Sequence, residues 1–269
     1  MHNPTIDQRL NSAEALLHEE KYLDAIALLS DLETEFPFDS ARRYMLLGMA
    51  HAKAHDAESA FVAWRMIEMS WSLPIYAVAQ LYLGDLAESA GDLEGAEYYW
   101  QTIALEWDAT CYARAQLNLG ELALDRGHEA EAIHHWQSID AAWDRNCYAK
   151  ALFHLSELEE QRGNLEKAEH YWRAIHREDD VQSFAWAQLY LADLAKSKDN
   201  MADAVHHWQA IALEDQAWCF GQAQLNLGKH YQAQGDFTAA RAHLSSIQPE
   251  WNDTAHAWAE LYLKQSAQD

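Results

Sequence analysis

The stretch from Tyr76 to Gly84, Tyr-Ala-Val-Ala-Gln-Leu-Tyr-Leu-Gly, returns 36 residues later as Tyr112 to Gly120, Tyr-Ala-Arg-Ala-Gln-Leu-Asn-Leu-Gly. The same step leads to Tyr148–Ser156, Phe184–Ala192, Phe220–Gly228 and His256–Lys264, and fainter copies begin near Ser40 and Thr5. A constant period of this length means one supersecondary unit stacked many times, because a unit that small cannot bury its own apolar face.

Within each unit, small and apolar residues recur at helical spacing, as at Ala113, Leu117, Leu119, Leu122 and Ala123, until Gly127 ends the run; this is helix A. A second stripe at Ala132, Ile133, Trp136 and Ile139 is helix B. A loop around Trp143-Asp144-Arg145-Asn146 then leads into the next unit. No segment alternates apolar and polar residues over strand length between turn signals, so no strands are expected. Ten Gly and four Pro in 269 residues, about half the usual combined share of roughly 12%, agree with a helical chain.

Counting from Ile6 gives one unit of 35 residues, 6–40, then six of 36 at 41–76, 77–112, 113–148, 149–184, 185–220 and 221–256. A last helix A, 257–266, lacks a partner and carries polar Lys264 and Gln265, with Gln268 beyond it, as a solvating cap. No linker divides the chain, so residues 1–269 are expected to form one elongated domain of seven helix pairs and a capping helix.

Charge narrows the partners. With 43 Asp and Glu against 19 Lys and Arg the formal charge is −24, which opposes a nucleic-acid backbone or an anionic membrane. No apolar run approaches the roughly 18 residues of a membrane span, and the opening Met1 to Asp7 has no basic start or apolar stretch of a secretory signal. The cytoplasm is the default compartment.

Catalysis needs unlike groups converging in a pocket, whereas a stack of repeats spreads like positions along a line. The sequence has no Gly-rich phosphate loop, Gly-x-Ser-x-Gly or His-Glu-x-x-His, so neither an enzyme nor a cofactor is expected. The histidine pairs His134-His135 and His206-His207, with His170 between them, recur because the unit does. Their copies stand about 8–10 Å apart, too far to share one zinc, and the pair His51 and His55 has no third ligand, so no metal site is expected. Cys111, Cys147 and Cys219 occupy one repeat position just before helix A. Copies so placed lie beyond the roughly 7 Å that a disulfide spans, which predicts free, partly buried thiols and a reducing compartment.

The unit resembles the tetratricopeptide repeat. Leu83-Gly84, Leu119-Gly120 and Leu227-Gly228 supply its Leu-Gly pair, and Gly91-Asp92, Gly127-His128, Gly163-Asn164 and Gly235-Asp236 its turn. Ala96, Ala132 and Ala240 supply its small residue in helix B, and Trp64, Trp100, Trp136, Trp172 and Trp208 its large aromatic. The unit is two residues longer than the family's usual 34, beside Trp71, Trp107, Trp143 and Trp251, and only Pro37 stands at the family's proline position. The Ala-Gln-Leu-Asn-Leu-Gly stretch is also similar to Sel1-like repeats.

The resemblance implies an all-α, right-handed α–α superhelix with helix A lining a concave face where partners dock. The helix-start positions of that face hold Val78, Arg114, Lys150, Trp186, Gln222 and Trp258. Just before the Leu-Gly leucine stand Tyr82, Asn118, His154, Tyr190, Asn226 and Tyr262. After the glycine come Asp85, Glu121, Glu157 and Asp193, and further on Glu88, Asp125 and Glu160. Acids in the middle and aromatic anchors around them suit a protein or peptide of cationic or helical character; self-association stays open. The function so implied is a non-enzymatic interaction scaffold or adaptor. The alternative is an inhibitor or immunity-type protein that sequesters a basic partner such as a nuclease toxin.

Overall fold

The computed structural model describes residues 4–265, and among these every regular element is an α-helix. Residue 266 of the expected cap and Gln268 lie outside the described residues. The chain packs as two compact units that divide after Asp144.

In the first unit the A helices are α1 (Pro4–His18), α3 (Pro37–Lys53), α5 (Leu73–Ser89) and α7 (Ala109–Asp125). Each pairs with the B helix that follows it: α2 (Tyr22–Ser30), α4 (Ala57–Arg65), α6 (Leu93–Gln101) or α8 (Glu129–Gln137). The second unit has A helices α9 (Arg145–Gln161), α11 (Val181–Ser197) and α13 (Ala217–Ala233), paired with α10 (Leu165–Ala174), α12 (Met201–Gln209) and α14 (Phe237–Ser245). It closes with α15 (Asp253–Gln265), packed on α13 and α14. In each unit every A helix touches the next A helix, while no B helix touches the next B helix among the described residues. The closer row is the inner one, so each unit curves with its A helices inside.

The A helices begin about one turn earlier than the apolar stripe suggests, because the caps lie upstream of it. Asp108, Asp180 and Gln216 accept hydrogen bonds from the backbone N–H of Cys111, Ser183 and Cys219, three residues into their helices. Cys111, Cys147 and Cys219 therefore sit in the first turn of helix A and not before it, and Arg145 and Asn146 open α9 instead of ending a loop. All three cysteines are buried, and burial pushes the free thiols of Cys111 and Cys219 up to about 12. Thiols held protonated in this way are poor nucleophiles.

The core repeats one contact. The indoles of Trp64, Trp100 and Trp136 lie where a Cβ on Gly48, Gly84 or Gly120 would come within 2.2–2.3 Å of them, so glycine is what lets helix B approach helix A. At that distance Trp64 and Trp136 donate to the carbonyls of Met45 and Leu117, both at 3.3 Å. In the units of Trp172 and Trp208 the glycine position holds Ser156 and Ala192 instead, and among the described residues the buried indole N–H groups find no acceptor. Helix A then turns into helix B through a residue with positive φ, glycine at 91, 127, 163 and 235, but Glu20, His55 and Asp199 in the other turns.

Candidate functional site

The inner face of the first unit gathers five of the expected positions around Asp85. Its carboxylate, on α5, accepts hydrogen bonds from Arg114 at 3.0 Å, Asn118 at 3.2 Å and the Trp100 indole at 3.3 Å. Burial raises the pKa of Asp85, and the Arg114 guanidinium and these donors work against that rise. One turn along, the exposed Glu88 titrates higher than an ordinary glutamate. Partial burial is the first cause, and the charges of Asp85, Glu121 and Asp125 add to it. Thus the acids of α5 and α7 form one repelling cluster, of which Asp85 already holds a cation from its own chain. Arg42 repeats the arrangement upstream, reaching from α3 to Asp7, Asn11 and Glu14 on α1 at 2.7–3.0 Å. Val78 is half-buried against the core.

Tyr82 is not a free anchor. It stacks on Trp64 with ring centroids 4.8 Å apart, and Tyr190 does the same on Trp172 at 5.1 Å. Both pairs join a helix-B tryptophan to the next helix A, a separation of 18 residues in sequence. The stacking covers one face of each half-buried ring and holds it in place.

In the second unit Glu160 is raised by partial burial and by the charges of Glu157 and Asp193, and the same three carboxylates lift the Tyr190 hydroxyl, after burial. The exposed Asp193 is itself raised by desolvation, against which Lys196 acts. Nearer the helix starts the character changes. Lys150, His154 and Trp186 line a cleft of about 220 Å³ between α9 and α11, together with Phe153, Asp180 and Ser183. His154 stands 3.6 Å from Glu157, and Trp186 stacks on Trp218 at 4.9 Å. Trp218, 40% exposed, is an aromatic of this surface that the sequence argument passed over, because it lies outside the positions the family resemblance marks. At the end of the unit Lys229 covers Trp258 at 5.7 Å and Tyr262 at 5.2 Å, so both rings already face a cation. Gln222 and Asn226 are half-buried on α13.

The recurring histidines tie helix B to helix A. His135, His207 and His243 each place Nδ1 2.7 Å from the side-chain oxygen of Gln116, Gln188 or Gln224. The oxygen can only accept, so Nδ1 carries the proton. Burial lowers the pKa of all three. His51 lies 3.2 Å from the Asp56 carboxylate, and His55 is the positive-φ turn residue beside it.

No model of a known protein family matches the chain, and no curated protein does. Among solved structures, it is similar to the crystal structure of the C-terminal part of a TPR repeat-containing protein from Cytophaga hutchinsonii. The TM-score is 0.61 at 15% sequence identity, over 92% of this chain and 98% of that one. What the two share is the fold, so the chain has a tetratricopeptide-like, all-helical arrangement of repeated helix pairs. No helix among the described residues is long and apolar enough to cross a membrane.

Proposed function

We propose that the chain is a non-catalytic scaffold that holds a protein or peptide of cationic or helical character against the A-helix faces of its units. The supporting observation is the acidic cluster of Asp85, Glu88, Glu121 and Asp125, in which Glu88 is raised first by partial burial and then by the like charges of the other three. A Lys or Arg brought by a partner would replace repulsion by attraction there and also speed encounter. Glu157, Glu160 and Asp193 offer the second unit the same chemistry beside Tyr190. Buried thiols at Cys111, Cys147 and Cys219 fit a reducing, cytoplasmic setting.

The test is a pull-down with mass spectrometry that compares the wild-type chain with Glu88→Lys/Glu160→Lys. A control, Glu94→Lys/Glu166→Lys, makes the same charge change in the first turns of α6 and α10. A protein retained by the wild type and the control but lost by the A-face variant supports the reading. Identical sets from all three baits overturn it.

A further inference from the structure

Within the units the last turn of an A helix meets the first turn of the preceding B helix at α2–α3, α4–α5, α6–α7, α10–α11 and α12–α13. The α6–α7 and α10–α11 junctions are closed in the same way, whereas α12–α13 has Met201, Val205, His230 and Gln234 at the equivalent positions. Between α6 and α7, Arg126 donates to the Glu97 carboxylate and to the Leu93 carbonyl at 3.4 Å, and Leu122 beneath is 5% exposed. Between α10 and α11, Lys198 pairs with Glu169 at 2.7 Å beside Leu165, and Leu194 is 8% exposed. Each closure therefore uses a leucine and a cation.

Between α4 and α5 the equivalent positions hold Ala57, Phe61, Leu86 and Ala90. Two alanines stand where the α6–α7 and α10–α11 junctions have the leucine and the cation, and a phenylalanine stands where they have the glutamate. No ion pair can form across this junction, and Leu86 remains half-buried, unlike Leu122 and Leu194. What remains is a cleft of about 270 Å³ with Phe61, Leu86 and Ala87 among its walls and the acids Glu58 and Asp92 in its lining. Among the described residues neither acid takes part in an ion pair, and Asp92 caps α6 by accepting a hydrogen bond from the Gly95 N–H at 2.9 Å. Phe61 is fixed from elsewhere, edge-on to Tyr99 at 6.1 Å and under the Arg65 guanidinium at 5.6 Å, one helical turn away from Ala57.

We propose that this cleft is a docking site for a partner segment that brings the two groups that the α6–α7 and α10–α11 junctions supply from their own chain: a branched apolar side chain, and a guanidinium or ammonium beside it. The alanines leave room for the first, and Glu58 and Asp92 set the sign of the second. The volume lies below the roughly 300–1,000 Å³ of small-molecule pockets, which suits one or two side chains of a macromolecule better than a cofactor. The site is separate from the A-face cluster, and its fate does not depend on that reading.

The probe is isopentylguanidinium, titrated into the full methyl-labelled chain and followed by NMR, with isopentanesulfonate as its anionic counterpart. The expected result is saturable shifts in the millimolar range confined to the methyls of Ala57, Leu86, Ala87 and Ala90, with no comparable response to the sulfonate. Ala57→Leu/Ala90→Arg, which copies the side chains of the next junction, should abolish them. Glu58→Lys, which leaves the cleft open, should weaken them at least about threefold. Several results overturn the proposal: no saturable response, equal response to the sulfonate, or shifts that persist in the Glu58→Lys chain. Shifts of the same methyls on raising protein concentration without probe would assign the cleft to a second copy and likewise overturn it.

Discussion

At the scale of single residues, the repeat is a set of solutions to one problem: how close an indole may come to the facing helix. Where Gly48 or Gly120 faces it, the N–H reaches a backbone carbonyl; where Ser156 holds the glycine position, the serine hydroxyl bonds to the Phe153 carbonyl at 2.6 Å and the Trp172 N–H is left over. Gly120→Leu should therefore cost about 1–3 kcal/mol or more by overpacking against Trp136. Gly120→Ala should cost less, since Trp208 already packs beside Ala192, and urea melts of both variants check the order. Histidine adds a pH dependence of definite sign. The folded pKa of His207 is depressed by burial, so above about 6.5 neither state is protonated and nothing is lost. Below that value the unfolded chain takes up a proton that the folded chain refuses, and stability falls. Between pH 7 and 5.5 the wild type should lose more melting temperature than His207→Gln. Parallel profiles would contradict this, and the carboxylates raised in the fold, Glu88 and Glu160, work in the opposite direction at lower pH.

At the scale of elements, helix identity and order were legible in the sequence, and helix starts were not. Periodicity reports which residues are buried, as at Ala113, Leu117 and Leu119, whereas the helix begins where Asp108 caps it, upstream of the first buried position. The turns were legible where glycine marked them, and the structure adds three that lack it. His55 sits at a φ of 61°, a region that costs an L-residue about 1–2 kcal/mol. His55→Gly should raise stability by about 1 kcal/mol, measured by the shift of the urea midpoint, less what the unfolded chain gains in freedom; a lower midpoint would show that the His55 ring holds the turn. The contacts between successive A helices were out of reach of any pattern. Arg114 to Asp85 and Arg42 to Asp7 and Glu14 depend on which way two long side chains swing across a helix interface. The stacking of Tyr82 on Trp64 needs the B-to-A geometry that only coordinates supply.

At the scale of the whole molecule, a chain of net charge −24 spends some of its few cations on its own inner faces, at Arg42, Arg114 and Lys229. The candidate site was legible as a list of positions on helix A, and each of those positions lies on an A helix of the structure. Which of them is available for a partner was not legible, because it depends on these internal pairings: Asp85 holds Arg114, while Glu88 meets only like charge among the groups that shift it. Glu88→Lys is accordingly expected to leave stability within about 0.5 kcal/mol of wild type, or slightly above it. The decisive measurement is calorimetric titration of the captured partner into the wild type, Glu88→Lys/Glu160→Lys and Glu94→Lys/Glu166→Lys, all shown to melt alike. A loss of affinity of about tenfold or more, near 1.4 kcal/mol, for the A-face pair and less than about twofold for the B-helix pair is the predicted result. Equal losses in both variants, or none in the first, would contradict the assignment of the inner face as the place where the partner is held.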